Sequence, residues 1–263
     1  MRRYKWFQSI VLLVVLSVFL VACSSSDKGK EKGNATDKEE FKFAMSGLYK
    51  PFNFKEKGQL VGFDVEIGEA LAEKMGMKAV PSTNPWETLI QGLQAEKYDA
   101  ILASMTITDE RLKSVNFTKP YYQSGAQIFV ADKNSAITSK EDLKGKKIGV
   151  VKASTFKEFA LTFTDSSLVT EYDSDITALM DLPTGRLDAV ITDQMVGFRV
   201  IKEDAIKIKD VGELLSSDDQ AIAVRKDDDQ LLEKLNKALD EIIKDGTYDK
   251  ISQKWFGRNI LGE

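Results

Sequence analysis

The stretch Ala100-Ile101-Leu102-Ala103-Ser104-Met105-Thr106-Ile107-Thr108-Asp109-Glu110-Arg111 joins a predicted buried strand to a short charged helix. Its apolar first part is typical of a strand that is covered on both faces. Two hydroxyl residues, Ser104 and Thr106, alternate at the end of the strand, and Arg111 lies in the first turn of the helix. A guanidinium beside hydroxyls and free backbone N–H groups suits a carboxylate ligand. The alternative is an arginine in an ordinary surface ion pair.

A second predicted strand repeats this spacing later in the chain. The segment Tyr98–Ile101 resembles Leu187–Val190, and a polar residue follows the aspartate of each segment by five positions: Ser104 in the first copy and Asp193 in the second. The repeat predicts two lobes of similar build, each with a polar group at a strand end. The alternative role for Asp193 is helix capping, because a helix is predicted to begin there.

Predicted strands and helices alternate along the folded part of the chain. One helix is predicted after Gly62 with Asp64 as its N-cap, and another begins near Thr155, whose pairing with Glu158 fits a capping box. This alternation predicts an α/β fold with largely parallel sheets, in which ligands bind beyond the carboxyl ends of the strands. The loop Ser46–Tyr49 also follows a predicted strand, so we expect it to face the same crevice.

The N-terminus has the features of a targeting segment. Three basic residues precede the apolar run Ile10–Ala22, which is shorter than the roughly 20 residues of a membrane span. The run ends at Cys23, the only cysteine, in the pattern of a bacterial lipoprotein signal. We therefore expect residues 1–22 to be removed and residues 23–40 to form a lipidated cysteine and a flexible, polar tether. The alternatives are a plain secretory signal and a single-span anchor.

Composition excludes several classes of function. The chain has no histidine and a single cysteine, which removes the usual zinc ligands and histidine-based general base catalysis. We expect neither a metal nor a cofactor. The net charge is −4, and the lysines are interspersed with acidic residues, which argues against nucleic-acid binding. The folded part, about 220 residues, is long enough for one large domain or two small ones.

The order of the motifs resembles a known family across nearly the whole folded part. The matching stretches are Tyr49–Phe52, Gly62–Val65, Thr106–Arg111, Phe117–Tyr122, Asp142–Lys146, Gly185–Val190 with Asp193, Asp245–Thr247 and Lys254–Gly257. They resemble the solute-binding proteins of ABC importers for polar amino acids, bacterial extracellular family 3. The resemblance implies a periplasmic-binding-protein type II fold, with two α/β lobes joined by two hinge strands. We place lobe 1 at residues 41–127 plus 225–263 and lobe 2 at residues 128–224.

The resemblance also implies how a zwitterionic ligand is held. Arg111 would bind the α-carboxylate with both arms of its guanidinium, and Thr155, at a helix N-terminus, would donate to the same group. Asp193 would pair with the α-ammonium, together with the Thr106 hydroxyl and the Ser104 carbonyl. The alternative for Thr155 is a capping role alone.

Four further positions would contact or read the ligand side chain. Tyr49 and Trp86 would flank it, unless they are ordinary core aromatics. Ser46 stands where relatives that bind basic amino acids carry an acid, so a cationic side chain is disfavoured because its charge would be buried unpaired. We interpret Lys152 as a solvated lysine. A glutamine-binding relative also has lysine at this position, which favours a neutral or acidic side chain, and we expect a neutral polar amino acid such as glutamine or cystine. Ala153 replaces a frequent glycine of the family.

The resemblance implies a binding protein, not an enzyme. It would capture a polar L-amino acid by lobe closure and deliver it to an ABC permease and its ATPase. It would be a monomer, anchored to the extracytoplasmic side of the cell membrane by a lipid on Cys23. The alternative is an enzyme of the cyclohexadienyl dehydratase type, for which Glu87 is the one visible candidate acid; we interpret Glu87 as helix surface. A sensory module would need a signalling domain and a membrane span in the same chain, and we expect neither.

Overall fold

The structure is a computed structural model that describes residues 38–134 and 136–262. The predicted signal segment, Cys23 and the tether up to residue 37 lie outside the described residues. The strands are β1 (Glu40–Met45), β2 (Leu48–Tyr49), β3 (Asn53–Glu56), β4 (Gln59–Val61), β5 (Lys78–Thr83), β6 (Ala100–Thr106), β7 (Asn116–Phe117), β8 (Tyr122–Ser124), β9 (Ala126–Ala131), β10 (Ile148–Val151), β11 (Val169–Tyr172), β12 (Ala189–Asp193), β13 (Ile208–Val211) and β14 (Asp218–Val224). The α-helices are α1 (Phe63–Lys74), α2 (Leu89–Gln94), α3 (Asp109–Leu112), α4 (Thr155–Phe163), α5 (Asp175–Asp181), α6 (Gln194–Lys202), α7 (Asp229–Lys244) and α8 (Thr247–Phe256). In the described part of the chain, no helix has both the length and the hydropathy needed to cross a membrane.

Two main sheets share one plan. The first has the order β5-β1-β6-β14-β7, with β8 also paired to β14. β1 runs parallel to β5 and β6, whereas β14 is antiparallel to β6, β7 and β8. The second has the order β11-β10-β12-β9-β13, in which β10 is parallel to β11 and β12, and β9 is antiparallel to β12 and β13. In each sheet, one strand, β14 or β9, therefore runs opposite to all the others, so most strands of each sheet point the same way, in agreement with the predicted largely parallel sheets.

The sequence repeat has a physical basis in this shared plan. The Asp99 carboxylate accepts a hydrogen bond from the backbone N–H of Lys42 at 2.8 Å, and the Asp99 N–H donates to the carbonyl of the same lysine at 2.8 Å. Asp188 makes the same two bonds with Lys147, at 2.8 and 2.9 Å. Each aspartate thus ties the start of β6 or β12 to the neighbouring strand, and this places the ends of both strands in equivalent positions.

The chain crosses between the two sheets at two adjacent segments. The first crossing is Gly125, between β8 and β9, and the second is residues 212–217, between β13 and β14. A Cβ atom at Gly125 would lie 2.1 Å from the Ser216 carbonyl oxygen, and the Ala126 N–H donates to the Ser216 hydroxyl at 3.1 Å. These crossings differ from the lobe boundaries at 127/128 and 224/225 that the sequence suggested. The reason is that β14 pairs with β6, a long-range contact that no local pattern reveals.

Helices cover the sheets and leave the carboxyl ends of the strands free. α1 packs against β5, β6, α7 and α8, while α4 and α5 pack against β10 and α6 packs against β9 and β12. A small third sheet, β2-β3-β4, follows β1 and carries Tyr49. The ends of β1, β6, β10 and β12 consequently converge on one cleft.

Candidate functional site

One cavity brings together the ends of strands from both main sheets. It contains about 580 Å³ of empty space, part of which is open to solvent. All eight residues that the sequence marked for ligand binding line it: Ser46, Tyr49, Trp86, Ser104, Thr106, Arg111, Thr155 and Asp193. That these residues contact a ligand stays a prediction. The prediction requires that all eight lie in one cleft, and they do.

Arg111 places a half-buried cation in the cavity wall. Its Nη1 donates to the Thr106 carbonyl at 2.8 Å, and its guanidinium lies 5.3 Å from the centre of the Trp86 ring. Burial lowers the pKa of Arg111 to about 10, with Glu158 acting in the opposite direction. No carboxylate in the described part of the chain forms an ion pair with this guanidinium. A carboxylate that entered the cavity would supply the missing counter-charge.

Asp193 places a buried anion in the same cavity. It is 2% exposed, and its Oδ1 accepts a hydrogen bond from the Met195 N–H at 2.7 Å, so it caps α6. Burial raises the pKa of Asp193 to about 7. Within residues 38–134 and 136–262, no lysine or arginine pairs with it. The capping role and a place in the cavity wall are therefore compatible, and a cation in the cavity would lower this pKa.

The first turn of α4 presents free backbone groups to the cavity. Ser154, Thr155 and Phe156 line it. The helix begins at Thr155, the N-cap is Ser154, and no side chain hydrogen-bonds to the first turn, so the predicted capping box with Glu158 is wrong. The Ser154 hydroxyl donates instead to the Val151 carbonyl at 2.5 Å. The uncapped N–H groups and the positive end of the helix dipole favour an anion here.

A buried polar network behind the cavity positions Ser46 and Ser104. The fully buried Asp64 accepts hydrogen bonds from the hydroxyl of Tyr121 at 2.6 Å, the amide of Asn53 at 2.6 Å and the hydroxyl of Ser104 at 3.0 Å. Asn53 in turn accepts from the Ser46 hydroxyl at 2.9 Å. The prediction that Asp64 caps α1 is wrong, because the helix begins one residue earlier and this carboxylate turns into the core.

A β-bulge shapes the end of β6. The register between β6 and β14 shifts between Ala221 and Ala223, and Ser104 has a left-handed backbone with φ of 55°. Bulges beside binding sites re-aim side chains and interrupt strand pairing. Here the Ser104 hydroxyl turns to the buried network, and the Thr106 hydroxyl donates to Oε1 of Gln220 at 3.1 Å.

Two aromatic residues line the cavity on the side of the first sheet. Tyr49 stacks on the buried ring of Phe52, with ring centres 5.0 Å apart and planes at 17°. Trp86 begins a 3₁₀ turn after β5 and is partly exposed. Phe52, Tyr121 and Tyr122 are fully buried and do not line the cavity, so they are packing residues of the core.

Polar contacts join the two sides of the cleft. Trp86 Nε1 donates to the Ala153 carbonyl at 3.2 Å. Lys152 Nζ forms ion pairs with Glu87 at 2.7 Å and with Asp173 at 2.6 Å. Trp86 and Glu87 precede the first crossing and the other three residues follow it, so the Trp86–Ala153 and Glu87–Lys152 contacts bridge the two sides of the cleft, whereas the Lys152–Asp173 pair lies on one side. Lys152, which the sequence suggested to be solvated, is a bridge between the two sides.

Ala153 adopts a backbone conformation that suits glycine. Its φ is 53°, in the left-handed region, where a Cβ atom costs roughly 1 kcal/mol. We expect Ala153→Gly to raise the free energy of unfolding by about 0.5–1 kcal/mol, measured by urea denaturation. The matched substitution Ala221→Gly, in the extended strand β14, should lower it instead. A loss of stability in Ala153→Gly would contradict this interpretation.

Three buried carboxylates make the stability of the ligand-free protein depend on pH. Burial raises the pKa of Asp64 to about 7, of Asp193 to about 7 and of Asp175 to about 6, above the ordinary value of 3.8. Between pH 4 and 7 the folded state therefore binds more protons than the unfolded state, so the free energy of unfolding falls as pH rises through this window. The slope is at most about 1.4 kcal/mol per pH unit for each group. Urea denaturation at pH 5, 6, 7 and 8 measures it, and a stability that rises from pH 5 to 7 would contradict the shifts.

The sequence interpretation did not identify Asp175 and Gln220, which also line the cavity. Asp175 begins α5 and is separated by two residues from the end of β11, a strand that was not predicted. Had β11 been recognised, the rule that ligands bind beyond carboxyl strand ends would have indicated Asp175. Gln220 lies in β14 and enters the site through the pairing of that strand with β6. Among the described residues, no group of histidine, cysteine, aspartate or glutamate side chains could hold a metal ion.

The fold and the cavity define a class of protein: two α/β parts, connected by two adjacent crossings, that close on a small polar ligand. The sequence profile of the bacterial extracellular solute-binding proteins, family 3, matches residues 41–258, and the chain belongs to this family.

Curated relatives and solved structures agree with this assignment. The chain is 33% identical over 254 residues to the L-cystine-binding protein TcyJ of Escherichia coli strain K12, covering 95% of this chain and 96% of the relative. It is 40% identical over 233 residues to the L-arginine-binding protein of Pseudomonas aeruginosa, covering 84% and 89%. An ancestral arginine-binding protein bound to arginine is similar with a TM-score of 0.79 and 41% identity, covering 84% of this chain and all of that one. These are type II periplasmic binding proteins and not enzymes, so the amino-acid-binding function is favoured over the dehydratase alternative.

Proposed function

We propose that this protein binds a polar L-amino acid as a zwitterion in the cavity. The observation that carries the proposal is the pair formed by Arg111 and Asp193, a cation and an anion without ion-pair partners in the described chain that line one cavity. Arg111 and the start of α4 at Thr155 bind the α-carboxylate. Asp193, the Thr106 hydroxyl and the Ser104 carbonyl bind the α-ammonium. The two charges of an amino acid lie on adjacent groups, so one ligand satisfies both.

The energy of these contacts is sufficient for uptake at low concentration. Charge-assisted hydrogen bonds contribute roughly 1.5–3 kcal/mol each. Four or five of them support micromolar or tighter affinity, about 8 kcal/mol, after the costs of ordering and closure. Tyr49 and Trp86 flank the ligand side chain and exclude water from it.

Ligand binding drives closure, because the ligand bridges both sides of the cleft. Arg111 lies before the first crossing and Asp193 after it, so the full set of contacts exists in the closed form alone. Gly125 and residues 212–217 act as the hinges of this motion, and the Trp86–Ala153 hydrogen bond forms as the cleft closes.

The family is extracellular, which fits delivery of the bound amino acid to an ABC permease and its ATPase. We further propose that the protein is a lipoprotein, anchored through Cys23 to the outer side of the cell membrane and acting as a monomer. The lipoprotein-type signal sequence supports the anchor, and Cys23 itself lies outside the described residues.

A thermal-shift panel tests the binding function. The purified protein is melted with each of the twenty amino acids, cystine, ornithine and citrulline in separate samples. A ligand at about 100 times its Kd stabilises the folded state by about 2.7 kcal/mol, which raises the Tm by roughly 5–10 °C for a chain of this size. At least one amino acid should produce such a shift. A panel without any shift, together with consumption of a prephenate-like acid, would favour the dehydratase alternative.

A further inference from the structure

The cavity contains a carboxylate that the zwitterion contacts leave unused. Asp175 is 4% exposed and lines the cavity at the start of α5. One of its oxygens accepts a hydrogen bond from the Thr192 hydroxyl. No cationic side chain in residues 38–134 and 136–262 pairs with it, and burial raises its pKa to about 6. Three carboxylates, those of Asp173, Asp175 and Asp193, therefore line the cavity together with one guanidinium, that of Arg111. Asp173 is paired with Lys152, which leaves Asp175 and Asp193 without a cationic partner among the described residues.

A neighbouring pocket indicates which end of the ligand meets this carboxylate. A more open pocket, with about 840 Å³ of empty space that includes solvent, shares Trp86 and Asp173 with the cavity. Arg111 and Asp193 line the inner cavity and do not line this outer pocket. Asp173 lines both spaces, whereas Asp175, two residues further on, lines the inner cavity alone. Asp175 is therefore an inner-cavity carboxylate beside the segment at which the inner cavity meets the outer pocket.

The charge balance at the outer end also favours a cation. Lys152 is shared between Glu87 and Asp173, so one cation serves two acids, and Asp175 adds a third acid. Low-dielectric walls concentrate the resulting negative potential inside the cleft. A neutral ligand side chain would leave this excess uncompensated when the cleft closes, which costs free energy.

We propose that Asp175 is the subsite for a cationic group on the ligand side chain, so that the ligand is an amino acid that ends in a guanidinium or ammonium group. This inference rests on the proposed amino-acid-binding function. It replaces the expectation of an uncharged side chain, which was drawn from Ser46. No acid stands at that position, but Asp175 supplies a carboxylate from the opposite side of the cavity. Cystine shares this chemistry through its second ammonium group.

Calorimetry with matched ligands tests the subsite. L-Arginine and L-citrulline differ mainly in the charge at the side-chain end, and L-lysine and L-cystine offer an ammonium there. We expect arginine or lysine to bind the unmodified protein about 10- to 100-fold more tightly than citrulline. In Asp175→Asn this ratio should fall to near one, while citrulline affinity changes by less than about threefold. Cystine that binds as tightly as arginine, with the same loss in Asp175→Asn, would assign the subsite to a second ammonium.

The control is Asp181→Asn, which changes an acid on the same helix that does not line the cavity. It should leave all affinities unchanged. Equal losses of arginine and citrulline in Asp175→Asn would assign Asp175 a structural role and overturn the subsite. Citrulline or glutamine binding as tightly as arginine to the unmodified protein would overturn it as well, and this comparison does not depend on a variant that folds. Binding of no amino acid at all would instead reject the proposed function on which the subsite rests.

Discussion

Replacing Arg111 with alanine should abolish the binding of every α-amino acid. Among the described residues that line the cavity, Arg111 is the one cationic side chain, and its loss would leave the ligand carboxylate buried with hydroxyl and backbone donors alone. Removing one partner of a buried charge pair costs about 2–5 kcal/mol or more, so we expect affinity to fall by about 30- to 5,000-fold or more. Isothermal calorimetry with the amino acid identified in the thermal-shift panel measures the loss.

Two further variants separate charge from geometry in this experiment. Arg111→Lys keeps the charge but removes the planar fork that binds a carboxylate with two parallel hydrogen bonds, so an intermediate loss is expected. Arg186→Ala removes an arginine that is exposed and outside the cavity, and it should not change binding. Unchanged affinity in Arg111→Ala would disprove the site as described.

Replacing Asp193 with asparagine should lower amino-acid affinity roughly 100-fold or more, about 3 kcal/mol, because the α-ammonium loses its charged partner. The asparagine oxygen can still accept the Met195 N–H, so the cap of α6 is retained. The ligand-free variant should also show a shallower loss of stability between pH 5 and 8, because one buried carboxylate no longer titrates. Calorimetry and urea denaturation measure the two effects separately.

Asp228→Asn is the matched control for the capping role. Asp228 caps α7 by accepting the Leu231 N–H at 3.1 Å and does not line the cavity. This variant should bind the ligand normally. Wild-type affinity in Asp193→Asn would leave Asp193 with its capping role alone and would remove the ammonium half of the proposed clamp.

Local sequence patterns identified which residues line the cavity, but they did not correctly predict the hydrogen bonds that those residues and their neighbours form. Ser104, Arg111 and Asp193 were identified because apolar runs ending in polar residues mark the carboxyl ends of buried strands. The capping roles of Asp64 and Thr155 were wrong. A carboxylate or hydroxyl near a helix start looks the same in sequence whether it caps the helix or turns into a buried network, and that choice depends on donors from distant strands.

The sequence by itself determined the alternation of strands and helices, the two-part plan and the eight residues that share the cavity. Each of these follows from spacing along one strand or helix, or from motifs that persist across the family. The tertiary structure decided where the chain crosses between sheets, because β14 pairs with β6 although more than 100 residues separate the two strands in the sequence. It also decided that Asp175 faces the cavity, since burial and charge balance are properties of the folded cleft. Those properties, and not Ser46 alone, are the basis of the proposed cationic group on the ligand side chain.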